Sequence, residues 1–482
     1  MTSTTRQSIQ TLMDTSGVKF GTSGARGLAA DMTAPVCYAY AAAFLQVVGA
    51  RPGGAVALGM DLRPSSPGIA AACAAAARDA GVKVTFCGVI PPPALAYHAQ
   101  ELHMPAIMVT GSHIPFDRNG IKFYRESGEI TKADEAGIAA AEVDIPDGIE
   151  LPPLPAADPA VRQGYVDRYL RYFPAGALAG MTLGFYEHSS VARDLLRDIL
   201  EGLGARVISL GRTDEFVPID TEAVAQADVD RARAWAAEHR FDAILSTDGD
   251  ADRPLIGDEA GNWFRGDLVG ILCARELGAQ AVATPVSSNT AVEKCGAFAR
   301  VTRTRIGSPY VIEAMEQMVA AGDHDVVGFE ANGGFLLGTR LERDSRRLAP
   351  LPTRDAVLPI LALLVRARRQ GLPVSALAGE LPPRFTASDR IQNFATEKSR
   401  MLIRELSGST AALAAFLAPL GVAAAGLDQT DGLRVTLASG EILHLRPSGN
   451  APELRCYAEA EDQGRANDLV RLGLERVASW RG

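Results

Sequence analysis

Residues 182–207 read TLGFYEHSSVARDLLRDILEGLGARV, and this stretch decides the fold class. A short apolar segment, 182–185, leads to a pair of serines at 189–190, a residue type that favours the start of a helix. The segment 191–203 then has the apolar spacing of a helix, and a second apolar strand returns after Gly204. A strand, a helix and a returning strand predict a βαβ unit with two parallel strands in one sheet.

The same layout occurs twice more in the chain. It runs from VALG (56–59) through Ser65 and Ser66 to GVKV (81–84), and from AVAT (281–284) through Ser287, Ser288 and a helical TAVEKCGAFA (290–299) to Arg300 and Val301. Each unit is followed by a further apolar strand, namely PAIMV (105–109), FDAIL (241–245) and DVVGF (325–329). Each of these strands ends in a polar loop. We therefore predict an α/β fold with three similar mixed-sheet domains whose loops face a central cleft.

The C-terminal part departs from this plan. Apolar segments at 432–437, 441–445 and 454–458 are typical of antiparallel strands flanked by helices, which predicts an α+β domain. Proline-rich stretches at 152–159 and 350–359 favour domain boundaries. We predict four domains, at 1–150, 151–262, 263–378 and 379–482.

Composition excludes several classes of partner. The chain has 482 residues, a net charge of −9 and no long basic or acidic run, so a nucleic acid or an anionic membrane is not the expected partner. No stretch reaches roughly 18 uninterrupted apolar residues, and the N-terminus has no apolar signal core. The six cysteines form no metal-binding or redox motif and are expected to be core thiols. These features predict a cytoplasmic protein, and none of them indicates an oligomeric state.

The first polar loop lies in VTGSHIPFDRNGIKFY (109–124) and contains Ser112, His113 and Lys122. A serine at the end of a strand, in a tight loop, is where α/β enzymes present a nucleophile. The common alternative is a serine that only caps a helix or stabilises a turn. Taken alone, this loop does not decide between the two.

The second loop, DGDADR, places aspartates at positions 248, 250 and 252. Carboxylates at this spacing in an extended loop converge on one hard cation, and all-oxygen ligands suit Mg²⁺. A calcium-binding EF-hand loop is excluded, because Arg253 occupies the sixth position, where glycine is required, and a strand precedes the loop. A solvated acidic turn is the remaining alternative.

Two further loops have the chemistry of sugar and phosphate recognition. In GFEANGGF (328–335), the Glu330 carboxylate and the Asn332 amide suit hydroxyl groups of a sugar. The loop RPSGNAPELR (446–455) offers an arginine fork, hydroxyl and amide groups and exposed backbone N–H groups, which together form an anion-binding nest. Arg455, at its end, is also compatible with pairing to an acid.

These loops, in this order, together with GTSGARG (21–27), resemble the α-D-phosphohexomutase family over nearly the whole chain. Some positions depart from the usual family motifs. Gly111 and Ile114 stand where the family has Ala and Asn, Asn332 stands for Ser, Asn450 for Thr, and Ser308 for a frequent His.

The resemblance implies a role for each loop. Ser112 would carry a phosphoryl group and share Mg²⁺ with Asp248, Asp250 and Asp252. Arg26 would face the phosphoserine, Arg253 would add electrostatic support, and Lys122 or His113 would transfer the hydroxyl proton. The residues implied in binding the substrate, its sugar and its phosphates are Arg253, Glu330, Asn332, Arg446, Ser448, Gly449, Asn450 and Arg455.

The activity implied by the resemblance is reversible phosphate transfer between C6 and C1 of a hexose phosphate. It proceeds through phosphoserine and a hexose 1,6-bisphosphate, which also acts as activator. Mannose phosphate is the favoured substrate and glucose phosphate is expected to react too, with phosphoglucomutase or phosphoglucosamine mutase as alternatives. From other classes, a metal-dependent sugar phosphatase has no need to hold both ends of the sugar, and a non-catalytic sensor would be expected to lose Ser112 or an aspartate.

Overall fold

The computed structural model describes residues 3–21, 24–448 and 452–480. The chain divides into two compact units. Unit 1 consists of Met1–Ala279 and Gly307–Leu377, and unit 2 of Gln280–Ile306 and Ala378–Gly482.

The first 150 residues, in unit 1, form a mixed sheet with helices. The strands are β1 (Thr4–Ser8), β2 (Lys19–Phe20), β3 (Ala25–Leu28), β4 (Ala55–Met60), β5 (Lys83–Val89), β6 (Ala106–Val109), β7 (Arg118–Arg125), β8 (Gly128–Glu129) and β9 (Glu142–Pro146). The helices are α1 (Ile9–Ser16), α2 (Ala34–Val47), α3 (Ser66–Asp79), α4 (Pro92–Glu101) and α5 (Lys132–Ala140). The sheet order is β2-β3-β7-β6-β4-β5, in which β4 is parallel to β5 and β6 while β7 is antiparallel to β3 and β6. The strands predicted at 56–59 and 105–109 are confirmed.

Small side chains allow the two central helices of this part to pack closely. Both α2 and α3 are rich in alanine, and most of their residues are buried in one core cluster with residues of β4, β6 and β7. A helix that is apolar nearly all round is expected to be buried on more than one side. These helices thereby pack against the sheet whose strands lead into the loops described below.

The next segment, also in unit 1, contains the stretch that decides the fold class. Its elements are α6 (Pro159–Tyr172), β10 (Thr182–Tyr186), α7 (Arg193–Gly202), β11 (Arg206–Leu210), α8 (Gln226–His239), β12 (Ala243–Thr247), β13 (Pro254–Gly257) and α9 (Gly266–Leu277). The sheet order is β11-β10-β12-β13, and β10 is parallel to both β11 and β12. The βαβ unit predicted at 182–207 is confirmed.

Residues 280–377 contribute to both units. Unit 2 receives β14 (Ala281–Pro285), α10 (Ala291–Lys294) and β15 (Arg300–Thr304), with β14 parallel to β15. Unit 1 receives α11 (Ser308–Ala320), β16 (Val326–Phe329), β17 (Phe335–Leu337), β18 (Leu341–Arg343), β19 (Arg346–Leu348), β20 (Leu351–Asp355) and α12 (Val357–Gln370). The helix expected over 290–299 ends at Lys294, because Gly296 has a left-handed φ of 63°. The four domain boundaries stay a prediction.

The C-terminal part of unit 2 is an antiparallel sheet with helices. Its elements are β21 (Phe385–Ile391), α13 (Thr396–Gly408), α14 (Thr410–Leu417), β22 (Ala424–Asp428), β23 (Leu433–Leu437), β24 (Ile442–Pro447), β25 (Leu454–Ala460) and α15 (Gln463–Ser479). The sheet order is β21-β25-β24-β23-β22, as predicted for an α+β part. Within the described residues no one helix is long and apolar enough to cross a membrane. By length and composition only, the bent pair Thr396–Gly408 and Thr410–Leu420 meets that requirement jointly.

The serine pairs do not act as the helix caps that we predicted. Ser65 occupies the N-cap position of α3 but makes no capping hydrogen bond, and α7 and α10 begin after Ala192 and Thr290 rather than at a serine pair. Instead, Ser65 and Ser66 both accept hydrogen bonds from the Asn119 amide, at 2.8 and 3.0 Å. These hydrogen bonds to Asn119 take the place of the predicted helix cap. They connect α3 to β7, the strand that contains Lys122.

Candidate active site

Ser112 lies in a tight turn directly after β6, and its surroundings hold it in an unusual conformation. Its φ is +52°, in the left-handed region that non-glycine residues rarely adopt. Its backbone N–H donates to Thr110 Oγ1 (2.9 Å), and its hydroxyl donates to Asp248 Oδ2 (2.7 Å). Ser112 is fully buried. A strained, buried serine whose hydroxyl is aimed at a carboxylate is a functional candidate rather than an ordinary turn residue.

Arg63 holds the serine loop from behind. Its guanidinium donates to four backbone carbonyls of the loop, those of Ser112, Ile114, Pro115 and Arg118, at 2.5–2.9 Å. A Cβ at Gly111 would lie 2.5 Å from the Arg63 guanidinium carbon, so the glycine makes room for this arginine. The left-handed residue of this turn is Ser112, so Gly111 is needed for space and not for its backbone conformation.

Asp61 completes this support. It lies after β4, pairs with Arg63 Nε (3.3 Å) and accepts a hydrogen bond from Gly111 N (3.2 Å). Both side chains are buried, at 2% and 1% exposure. A buried ion pair of this kind fixes geometry, since removing one partner leaves the other charged and unpaired.

Replacing Arg63 by methionine is therefore expected to lower the free energy of unfolding by about 3–5 kcal/mol. Urea denaturation of the full-length protein, followed by tryptophan fluorescence, measures the loss. The double variant Arg63→Met/Asp61→Leu is the control, because it leaves no buried charge unpaired and should recover part of the stability. Equal stability of the single variant and the wild type would show that the four carbonyl contacts are dispensable.

The three loop aspartates converge as predicted from their spacing. Ligand oxygens of Asp248, Asp250 and Asp252 lie within 4.8 Å of one another, and all three residues are buried. Asp248 Oδ1 also accepts from the backbone N–H groups of Asp252 (3.2 Å) and Arg253 (3.3 Å), which closes the loop on itself.

Cationic side chains surround this cluster. Lys122 Nζ contacts Asp250 Oδ2 (2.9 Å) and Asp252 Oδ2 (2.7 Å), and Arg354 Nη2 contacts Asp252 Oδ2 (2.8 Å). Arg253 Nη1 donates to His113 Nδ1 (2.8 Å). The structure thus brings the serine loop and the aspartate loop together with Lys122, Arg253 and one arginine that the sequence did not reveal.

The pKa values of the three aspartate carboxyls shift in different directions, although the residues are neighbours. Burial, reinforced by the other two carboxylates, raises the pKa of Asp248 well above its ordinary value. Burial acts in the same direction on Asp250 and Asp252, but Lys122 holds the pKa of Asp250 below its ordinary value, and Arg354 with Lys122 does the same for Asp252. The proximity of Arg253, together with burial, lowers the pKa of His113 to about 3, so its imidazole is neutral near pH 7.

These residues fit a hard divalent cation. Asp250 Oδ1 is buried and accepts no hydrogen bond from any described residue, so a lone pair is available in the centre of the triad. A divalent cation there would bind that oxygen and would offset the burial and the neighbouring carboxylates that raise the pKa of Asp248. The triad can therefore bind a metal ion.

Arg26 adds a further positive charge from β3. Burial, and then the neighbouring guanidinium groups of Arg253 and Arg354, lower the pKa of Arg26 to about 10. No described residue forms an ion pair with it. Like charges gathered beside a nucleophile are unfavourable unless an anion such as a phosphoryl group joins them.

The candidate sugar loop directly follows β16. Glu330 Oε2 pairs with Arg354 Nη1 (3.3 Å), so Arg354 links this loop to Asp252. Asn332 Oδ1 accepts from Gly334 N (2.9 Å), and the Asn332 carbonyl accepts from Thr221 Oγ1 (2.7 Å). The oxygen of the Asn332 amide thus shapes the turn, whereas its Nδ2 has no partner among the described residues.

A segment that sequence reasoning missed, 216–222, lies against all three loops. The Phe216 ring stacks on the Arg63 guanidinium, 4.1 Å from its carbon to the ring centroid. Asp220 and Glu222 are close enough to interact electrostatically with His113 and Arg253, and burial raises the pKa of Glu222. The segment has no motif: its sequence, FVPIDTE, is an apolar run followed by two acidic residues, and nothing in it indicates a place in the site.

For other site residues that we did not predict, the sequence does contain an indication of their role. Asp61 and Arg63 follow the carboxyl end of β4, the same position in the sheet that drew attention to Ser112 and Asp248. Arg354 and Asp355 are adjacent charges inside a buried apolar run, which is costly unless each finds a partner. Asp355 accepts from Tyr165 Oη (2.6 Å) and from Tyr169 Oη.

In unit 2, the candidate phosphate loop connects β24 and β25. Arg446 and Arg455 are directly opposite in this strand pair, and Arg390 is opposite Arg455 on the other side. Arg446 Nε donates to Asp431 Oδ2 (2.9 Å), and Ser448 is buried. Asp431 pairs with Arg446, and Glu453 lies 3.7 Å from Arg390. Three guanidinium groups gathered beside one loop suit an anion site. Gly449 and Asn450 lie outside the described residues.

Three parts of the chain match models of known protein families. The α/β/α domain I of phosphoglucomutase/phosphomannomutase matches residues 17–144, the α/β/α domain III matches 265–385, and the C-terminal domain matches 393–471. A phosphomannomutase of Salmonella muenchen is 48% identical over 475 residues, covering 98% of each chain. A phosphomannomutase of Sinorhizobium fredii is 46% identical, covering 95% of this chain and 98% of that one.

Solved structures agree in fold. A phosphoglucomutase/phosphomannomutase family protein from Burkholderia thailandensis superposes with a TM-score of 0.73 at 20% identity, covering 96% of this chain and 98% of that one. N-acetylphosphoglucosamine mutase from Aspergillus fumigatus, solved with GlcNAc-6P and magnesium, gives a TM-score of 0.56 at 15% identity, covering 98% and 99%.

Proposed function

The chain belongs to the phosphoglucomutase/phosphomannomutase family, and from that premise we propose that it is an isomerase of the phosphomannomutase type. It moves phosphate reversibly between C6 and C1 of mannose phosphate, and of glucose phosphate also. The observation that carries this proposal is the 2.7 Å contact between the Ser112 hydroxyl and Asp248 inside the aspartate triad. A nucleophile, a metal-binding cluster and three arginines in one place suit phosphoryl transfer.

Ser112 is the group that gives and takes the phosphoryl unit. In the first half-reaction, the bond between phosphorus and Ser112 Oγ breaks, and a bond from phosphorus to a sugar hydroxyl oxygen forms. The product is a hexose 1,6-bisphosphate, which turns around and returns its other phosphate to Ser112. Full burial of Ser112 supports transfer to sugar over hydrolysis, because water must be kept from the phosphoserine.

The proton of the sugar hydroxyl needs an acceptor, for which Lys122 and His113 are the candidates. His113 Nδ1 accepts from Arg253, and its low pKa leaves little tendency to bind a proton. Lys122 Nζ lies within 2.9 Å of two aspartates of the triad. Because Arg253 occupies His113 Nδ1, we propose Lys122 as the proton-transfer group and His113 as a group that orients Arg253. Lys122 must then act as the neutral amine, since the ammonium that pairs with two carboxylates has no lone pair to accept a proton.

Mg²⁺ is the cation we propose for Asp248, Asp250 and Asp252, with the phosphoserine as a further ligand; when bound, it would neutralise charge on the transferred group. A phosphoserine carries about −2 charge near pH 7, so it cannot lie beside three carboxylates without compensation. Arg26, which lies near Asp250 and Asp252 but forms no ion pair with any described residue, is suited to face that phosphoryl group.

Sugar and distal-phosphate recognition complete the proposal. Glu330 has one oxygen paired with Arg354 and the other without a described partner, so it can accept from a sugar hydroxyl, and Asn332 Nδ2 can donate to one. Arg446, Ser448 and Arg455, with Gly449 and Asn450, are proposed to bind the phosphate that is not transferred.

Substrate choice tests the proposal. When the sugar turns end for end, positions 3 and 4 exchange places, so Glu330 can bind O3 and O4 in both poses but cannot identify C2. Mannose 1-phosphate and glucose 1-phosphate should therefore both react, with mannose favoured, and glucosamine 1-phosphate should react more slowly. Initial rates are measured with Mg²⁺ and a hexose 1,6-bisphosphate present. Galactose 1-phosphate, which inverts O4, must be poor, since equal rates with mannose 1-phosphate would contradict the role of Glu330.

Glu330→Gln sharpens this test. Losing a hydrogen bond to a charged group costs about 1.5–3 kcal/mol, so kcat/KM for mannose 1-phosphate should fall by roughly 10- to 100-fold. Glu222→Gln is the matched control, because it removes the same charge from a neighbouring carboxylate that we do not assign to the sugar. An equal loss in both variants would indicate a general electrostatic effect instead of hydroxyl recognition.

A further inference from the structure

A second cluster of arginines in unit 1 surrounds a pocket that shares no residue with the candidate active site. The pocket has a volume of about 300 Å³. We call it the arginine pocket, and its lining includes Tyr97, Arg168, Arg171, Arg340, Arg347 and Ala349. Its volume is in the range of small-molecule sites. Four guanidinium groups around one small pocket point to an anionic ligand.

Arg168 is the buried member of this cluster. It is 5% exposed, and its guanidinium lies over the Tyr97 ring, 4.9 Å from guanidinium carbon to ring centroid. Nη2 donates to the Ala349 carbonyl (2.7 Å), but Nε and Nη1 are buried and have no hydrogen-bond partner among the described residues. Buried donors without a partner cost free energy. No described acid forms an ion pair with Arg168, and the buried Asp355 carboxylate acts on it only at longer range. A bound acceptor would explain why an arginine is retained here.

The charges at the rim are only partly compensated. Arg171 pairs with Asp167 (2.8 Å), while Arg347 and Arg340 both approach Glu342, at 3.0 and 3.9 Å. Asp167 and Glu342 at the rim, with Asp355 acting on Arg168 at longer range, are three carboxylates for four guanidinium groups. Positive charge remains in surplus around the pocket, which suits an anion such as a phosphoryl group.

We propose that the arginine pocket binds a dianionic phosphoryl group, either as free phosphate or as the phosphoryl end of a small metabolite. Phosphate accepts from several arginine forks at once, which a single carboxylate cannot do. Only a few side chains separate the arginine pocket from the candidate active site. Tyr169, next to Arg168, donates to Asp355, and Asp355 adjoins Arg354, which pairs with Asp252.

Thermal unfolding of the full-length protein tests the site, with inorganic phosphate as the probe and sodium chloride at equal ionic strength as the reference. Phosphate is expected to raise the Tm of the wild type, because a ligand that binds only the folded state stabilises it. In the double variant Arg171→Gln/Arg347→Gln, that gain should fall by at least half. The active site is untouched in this variant, so kcat and KM measured without added phosphate should stay as in the wild type.

The matched control is Arg6→Gln/Arg162→Gln. Both residues are surface arginines of unit 1 with an acidic partner, Glu142 and Asp198 respectively, so the loss of charge is the same. The control should keep the full gain in Tm. An equal gain in the wild type and the pocket variant, or an equal loss in both double variants, would overturn the proposal. Glycerol 3-phosphate as a second probe separates the sources: a comparable gain assigns the site to phosphorylated metabolites, and no gain assigns it to free phosphate.

Discussion

Replacing Ser112 by alanine is expected to lower kcat by about 10⁵-fold or more, because no other described hydroxyl contacts the carboxylate of Asp248. The variant should still fold, since the side-chain contacts that hold the loop come from Arg63 and Thr110 and reach the backbone of residue 112. Steady-state rates with mannose 1-phosphate measure the loss, and the thermal midpoint verifies the fold.

The same variant tests the covalent intermediate. Wild-type protein incubated with a hexose 1,6-bisphosphate should gain one phosphoryl group, which intact mass detects and peptide mapping assigns to Ser112. Ser112→Ala is the control and should gain none. Equal phosphorylation of both proteins, or a wild type that is never phosphorylated while remaining active, would contradict the phosphoserine mechanism and with it the role of the aspartate triad beside it.

The local sequence pattern was sufficient to predict those parts of the fold that repeat along the chain. Strands β4, β6, β10, β12 and β16 were predictable because each is a short apolar run bounded by turn residues. Since the carboxyl ends of parallel strands meet at one edge of a sheet, the loops after them could be predicted to carry chemistry. The spacing of Asp248, Asp250 and Asp252 likewise predicted their convergence.

Contacts between segments that are distant in the sequence could not be predicted from local pattern. Nothing near Arg63 in the sequence indicates that its guanidinium binds four carbonyls some fifty residues away. Helix α10 is shorter than its pattern suggested, because one left-handed glycine ends it. Arg354 could not be assigned to the site, since its partners, Asp252 and Glu330, come from two other loops. In each case the deciding interaction depends on tertiary structure, which overrides local preference.

Asp250→Asn is the second change expected to have a large effect. The substitution keeps the shape of the side chain and an oxygen able to accept from Thr110 and Lys122, so the fold should survive. It removes the negative charge that holds a divalent cation. Because charge compensation in phosphoryl transfer is worth several kcal/mol, kcat should fall by about 10³-fold.

Removing the metal should have the same consequence as removing the charge. Chelator is expected to abolish turnover of the wild type, and added Mg²⁺ should restore it, whereas Asp250→Asn should need far more Mg²⁺ for any residual rate. Asp258→Asn is the matched control, because Asp258 is also buried but closes a turn outside the triad, where it accepts from Asn262 N (2.8 Å). This control should lose stability without a change in metal dependence. Full wild-type activity in chelator would show that Lys122, Arg253 and Arg354 compensate the charge alone, and the triad would then need a structural explanation.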